Sequence, residues 1–157
     1  MAYFSWEENL PFKLTYPKRA EPKHVKVFKK SIQAIAEMSR RHRIKVVEVK
    51  LHVHDFQQPY HALGYAVSEI NEITLCGWDV ETGLHELAHI WSGEAHTTGW
   101  AKRLLQLHQE YSPRKAKKWE KSLFKSYRSA RKVIRERDDA LPRKKSVRRC
   151  HSCGKLD

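Results

Sequence analysis

The sequence predicts an α+β fold: a small antiparallel β-meander packed on a helix bearing a His-Glu-x-x-His motif, with a basic C-terminal helix and tail beyond it. Three observations carry this expectation. Apolar residues recur near helical spacing from His24 to about Arg41, short β-branched runs follow between 44 and 76, and apolar residues then surround His85, Glu86 and His89. Helix, clustered strands and helix in succession is the order of an α+β domain, not of alternating βαβ units.

Residues 1–22 contain Pro11, Pro17 and Pro22 among scattered aromatics, which predicts an extended arm packed on the domain. Met1 to Trp6 lacks a basic leader and a sustained apolar run, so a cytoplasmic protein is expected. Aliphatic runs throughout are too short for a transmembrane helix, and no membrane partner is expected. Three cysteines, Cys76, Cys150 and Cys153, are too few for a disulfide framework.

Residues 23–112 read as the catalytic core. In its first helix Val25, Phe28, Ile32, Ile35, Ala36 and Met38 face inward and basic residues face out. Val46, Val47, Val49, Leu51 and Val53 predict a strand over 44–54, and two more strands are expected near 62–68 and 72–76, joined by a tight turn at Asn71. His52 and His54 share a strand face and, with His61, invite a second metal site. Only Asp55 could extend that set, so a solvated or groove-lining face is the better reading.

The segment Leu84 to Trp91 carries the chemistry. On a helix, residues four apart share a face, so the imidazoles of His85 and His89 can reach one ion while Glu86 faces a water on it. Zinc suits neutral imidazoles, and three protein ligands leave a fourth position for a water whose pKa falls towards neutrality. Asp79 is the expected N-cap and Gly93 the C-terminal stop. The third ligand is expected at His96, seven residues after His89 and just past the Gly93 turn, with Glu94 as the competing residue. A metzincin would have glycine at 92 and histidine at 95, where this chain has Ser92 and Ala95. A helix from Thr98 through Tyr111 places Trp100, Leu104, Leu105, Leu107 and Tyr111 for packing on the motif helix, and His108 or Tyr111 are candidate donors to a tetrahedral oxyanion.

These residues resemble the SprT-like (Spartan-like) zinc metallopeptidases over roughly residues 23 to 111. Leu63-Gly64-Tyr65-Ala66 with Asn71-Glu72-Ile73-Thr74-Leu75 is similar to the family's paired strands, Leu84 to His89 to its metal motif, and His96-Thr97-Thr98-Gly99-Trp100 to its histidine, glycine-containing turn and aromatic. Glycine does not directly follow His96, which departs from the pattern. The resemblance implies a minimal zincin-like domain in which His85, His89 and His96 hold one catalytic Zn2+ and Glu86 is the general base on the zinc-bound water. It also implies protein substrates bound or crosslinked to DNA. By the same likeness, and by the logic of strand addition, the strand at 72–76 is the candidate edge for pairing with an extended substrate.

Charge is unevenly spread. Residues 113 to 149 hold sixteen Lys or Arg against four acids, whereas residues 1 to 112 hold fourteen against thirteen. Over 113–141, Trp119, Leu123, Tyr127, Ala130 and Ile134 fall at helical intervals, predicting one basic amphipathic helix. Its cations, Arg114, Lys115, Lys117, Lys118, Lys121, Lys125, Arg128, Arg131, Lys132 and Arg135, are the candidate nucleic-acid contacts, expected to bind DNA without reading sequence and to place the protein on DNA in the cell. Residues 142–157 form a basic tail ending in a CxxC knuckle. Cys150 and Cys153 are a candidate second metal site but supply only half of a four-ligand set.

The expected activity is therefore zinc-dependent peptide hydrolysis. Two rivals remain at this point: a non-catalytic zinc protein that binds nucleic acid, and a three-histidine metal-dependent ribonuclease, a class without glutamate directly after its first histidine.

Overall fold

The computed structural model describes residues 2–52 and 64–142. In chain order these form a 3-10 helix at Ser5–Asn9, strand β1 at Lys13–Thr15, helices α1 at Pro22–Lys26 and α2 at Lys29–His42, and strands β2 at Glu48–Leu51, β3 at Gly64–Val67 and β4 at Glu72–Leu75. Helices α3 at Val80–Ser92, α4 at Thr98–Tyr111, α5 at Pro113–Ser126 and α6 at Arg128–Ala140 complete it. The fold is mixed α+β, with one four-stranded sheet among the described residues. None of their helices is long and apolar enough to cross a membrane.

The sheet corrects the expected antiparallel meander. Its order is β1-β2-β4-β3, with β1 and β2 parallel, β2 and β4 parallel, and only β3 and β4 antiparallel. Residues 52–63, twelve in all, separate β2 from β3, far more than the about two to five of a hairpin loop. Pairing β2 with β4 instead sets Val49 opposite Ile73 and Leu51 opposite Leu75, all four buried. Asn71 does form the expected turn before β4, in the left-handed region at φ 55°, which a short polar side chain tolerates.

A second correction follows. Strand β4, the expected edge, is paired on both sides, and among the described residues β1 and β3 are the outer strands. The N-terminal arm supplies β1 and meets the domain through buried Phe12 and the Lys13 N–H, which donates to the Val47 carbonyl at 3.0 Å. Within the arm, the Tyr3 hydroxyl donates to the Ala20 carbonyl at 2.6 Å and Glu7 accepts from the backbone N–H groups of Tyr3 and Phe4.

The first predicted helix is two, α1 and α2, separated at Val27 and Phe28, and Phe28 remains buried. Helix α3 lies centrally, packed on α2, α4 and the sheet. The single basic helix expected over 113–141 is also two. Tyr127 leaves the helical region at φ −125°, ψ 123°, and α6 folds back along α5 so that Arg137 makes two bonds to the Glu120 carboxylate, at 2.7 and 2.8 Å. The apolar stripe survives the break, since Trp119, Leu123, Ala130 and Ile134 are all buried.

Candidate metal centre

Helix α3 is positioned by local chemistry at both ends. Asp79 accepts from the Thr82 N–H at 2.8 Å and from its hydroxyl at 2.7 Å, capping the first turn. Gly93 closes the last turn at φ 67°, a conformation that favours glycine. Between them Leu84, Leu87 and Ala88 are fully buried, which fixes the rotation of the helix and turns His85, Glu86 and His89 towards a cleft.

Three imidazoles converge there. Candidate ligand atoms of His85, His89 and His96 all lie within 4.8 Å of one another, a group that could hold a metal ion. Nε2 of His85 and Nε2 of His96 are 3.1 Å apart, close to the roughly 3.3 Å that two nitrogens span on a tetrahedral zinc with bonds of about 2.0–2.1 Å. Nδ1 of His89 lies 2.7 Å from the Glu94 carbonyl. Donating there, it leaves Nε2 free for the shared point, the outer-shell arrangement that fixes a ligating histidine's tautomer. Fully buried Trp100 contacts all three rings, with centroids 4.9, 5.4 and 4.6 Å from those of His85, His89 and His96.

The electrostatics fit a ligand set. Burial, followed by the neighbouring histidines, pushes His85 down to about 3; burial and then His89 also lower His96. Both rings are thus neutral near pH 7, the form that binds metal. Glu86 is 6% exposed and has no hydrogen-bond partner among the described residues, and burial pushes its carboxyl up to about 7.

The cleft measures about 750 Å³ and has four walls. Gly64, Tyr65 and Ala66 of β3 form one, α3 the second, the turn from Gly93 to His96 the third, and Ser122, Leu123, Ser126 and Tyr127 the fourth. Gly64 permits the first wall to close in, since a Cβ there would stand 2.9 Å from the Thr74 carbonyl oxygen and 3.1 Å from the Glu86 Cγ.

Of the residues singled out in the sequence, the structure brings together His85, Glu86, His89 and His96. The Glu94 carboxylate is taken up by the Thr97 hydroxyl and does not join them. His108 is buried behind the cleft, its ring 4.7 Å from that of Trp119, and Tyr111 lies at the far end of α4, so neither lines the cavity. Of the ten basic candidates on α5 and α6, all but Arg131 are exposed, and only Lys132 has an acidic group within 4.0 Å among the described residues. His54, His61, Cys150 and Cys153 lie outside the described residues.

Tyr127 was missed as a cavity residue. Its ring centroid lies 4.7 Å from that of His96, 5.0 Å from Trp100 and 5.7 Å from His85. Burial, then the Glu86 and Glu81 carboxylates, raise its phenol pKa. The available signal was a hydroxyl-bearing aromatic in an otherwise apolar stripe.

Comparison with protein-family models gives no match to this chain, and comparison with curated proteins gives none. Among solved structures, a mutant of Wss1 from Saccharomyces cerevisiae is similar at TM-score 0.49 and 18% identity, covering 63% of this chain and 88% of that one. The crystal structure of Wss1 from the same yeast is similar at TM-score 0.48 and 18% identity, covering 63% and 87%.

Proposed function

We propose that this chain is a zinc metallopeptidase that hydrolyses peptide bonds in proteins bound or crosslinked to DNA. One observation carries the reading: three imidazoles converge beside the Glu86 carboxyl on the wall of an open cleft. His85, His89 and His96 would hold the ion. When bound, zinc supplies a polarised scissile carbonyl and an acidified water.

Glu86 takes a proton from the attacking water and returns it to the leaving amine, work for which a carboxyl poised near neutrality is suited. Burial holds the Glu86 carboxyl at about 7 on the cleft wall, and a purely structural metal site gives no reason to keep such a group there. That disfavours the non-catalytic rival.

Strand β3 has one neighbour among the described residues and borders the cleft, so its open edge replaces β4 as the strand on which an extended substrate backbone would pair. The unpaired cations of α5 and α6 would hold the protein on DNA with strong salt dependence. The DNA-associated substrate class is supported by that charge and by the SprT-like resemblance of the motifs.

The test is cleavage of a DNA-binding protein by the zinc-loaded chain, with and without single- and double-stranded DNA, beside Glu86→Gln. DNA-stimulated cleavage that disappears in Glu86→Gln while zinc content is retained is the expected result. If wild type and Glu86→Gln both fail to cut yet bind zinc and DNA equally, the binding-protein reading takes its place.

A further inference from the structure

We infer that Tyr127 is a catalytic residue of this site: its hydroxyl donates a hydrogen bond to the scissile carbonyl oxygen as negative charge develops there. The inference rests on the peptidase reading and extends it to an element outside the core that carries the metal motif.

Backbone geometry is the first support. Tyr127 is the single residue between α5 and α6, and it alone departs from the helical region at their junction. Helical hydrogen bonding nonetheless passes through it, since its N–H donates to the Leu123 carbonyl at 2.9 Å and its carbonyl accepts from the Arg131 N–H at 3.1 Å. The departure turns one ring inward against His96, Trp100 and His85, while the flanking Ser126 and Arg128 stay exposed.

The hydroxyl is the second support. It has no hydrogen-bond partner among the described residues, and half-buried Tyr127 lines the open cleft, so the donor is available to a group bound there. Filling the wall would need only a phenyl ring. A free donor beside the proposed ligands is placed for an oxygen that exists only while substrate reacts, the arrangement that stabilises a developing oxyanion.

The step balances without titration of the phenol. Water oxygen bonds to the carbonyl carbon, the π pair moves to the carbonyl oxygen, and the water proton passes to Glu86. Collapse then re-forms the carbonyl, breaks the C–N bond and delivers that proton to the amine. Tyr127 keeps its own proton throughout.

Tyr127→Phe retains the ring and removes the donor, and Tyr111→Phe, outside the cleft, is the control. In Tyr127→Phe, kcat should fall by about 10²- to 10³-fold with little change in KM, and affinity for an alanine-based phosphinic peptide, a tetrahedral analogue, should fall with it. Zinc affinity and melting temperature should match wild type, and Tyr111→Phe should change none of these. Wild-type turnover and phosphinic-peptide affinity in Tyr127→Phe overturn the assignment and leave the peptidase reading standing. Losses that track reduced zinc affinity or melting temperature also overturn it, because they mark a wall residue. A wild-type chain that neither cuts protein nor binds the phosphinic peptide overturns both.

Discussion

Two histidines, half-buried His85 on α3 and fully buried His108 on α4, are both pushed down by burial, to about 3 and about 4 respectively. Their surroundings differ completely. The His85 ring nitrogen meets that of His96 at the edge of a solvent-filled cleft. Both His108 nitrogens lack partners among the described residues, and its ring packs on Trp119. The contrast teaches that a depressed pKa reports desolvation wherever it occurs. Convergence of donor atoms on an open volume is what separates a site from a costly core residue.

The largest effect expected from breaking this comparison is at His85. His85→Ala should lower zinc affinity by more than the 10- to 100-fold typical of lost outer-shell partners and reduce cleavage to background, whereas His108→Leu should keep both. Zinc titration and cleavage assays on the two variants side by side check this, and equal losses would erase the distinction.

His108 governs the next effect through proton linkage. Its folded-state value, about 4, lies below the ordinary imidazole value of 6.5, so between those pH values the unfolded chain binds more protons and stability falls as pH falls. Above about 6.5 this penalty is absent; by pH 4 it reaches about 3 kcal/mol. Urea unfolding of EDTA-treated protein across that range should show a steeper acid loss in wild type than in His108→Leu. At pH 7 the variant should be more stable by about 1–2 kcal/mol, because an unsatisfied buried polar ring is removed. Identical pH profiles would show that the ring has partners after all.

The smallest effect is at the turn that orients His89. Gly93→Ala forces a Cβ into the left-handed region with no atom within 4 Å to oppose it, so backbone strain of about 1 kcal/mol is the whole expected stability cost. Displacement of the Glu94 carbonyl should also weaken zinc binding by up to about 10-fold, measured by chelator competition. Unchanged affinity would mean that the Glu94 carbonyl does not orient His89.

The motif helix was legible because its determinants are local. Asp79, Gly93 and apolar spacing around His85, Glu86 and His89 lie within 15 residues and specify cap, stop and face without reference to the rest of the chain. Sheet order was not, because parallel pairing of β2 with β4 is decided by matching Val49 and Leu51 to distant Ile73 and Leu75. Three-residue β1, set among prolines, has too short a pattern to declare itself. The break at Tyr127 lies between two strong amphipathic helices, and the contact that rotates the ring inward belongs to α3 and α4. Burial of His108 was partly legible, since it stands one helical turn beyond Leu104 and two beyond Trp100, both buried.

Because the fourth wall of the cleft comes from the end of α5, the region that bears the outward-facing cations also shapes the space in which substrate sits. Residues 23–112 are consequently not a cassette that could be cut out and fused to a different localisation module. Such a chimera would keep every histidine and the glutamate but would leave the cleft missing one side.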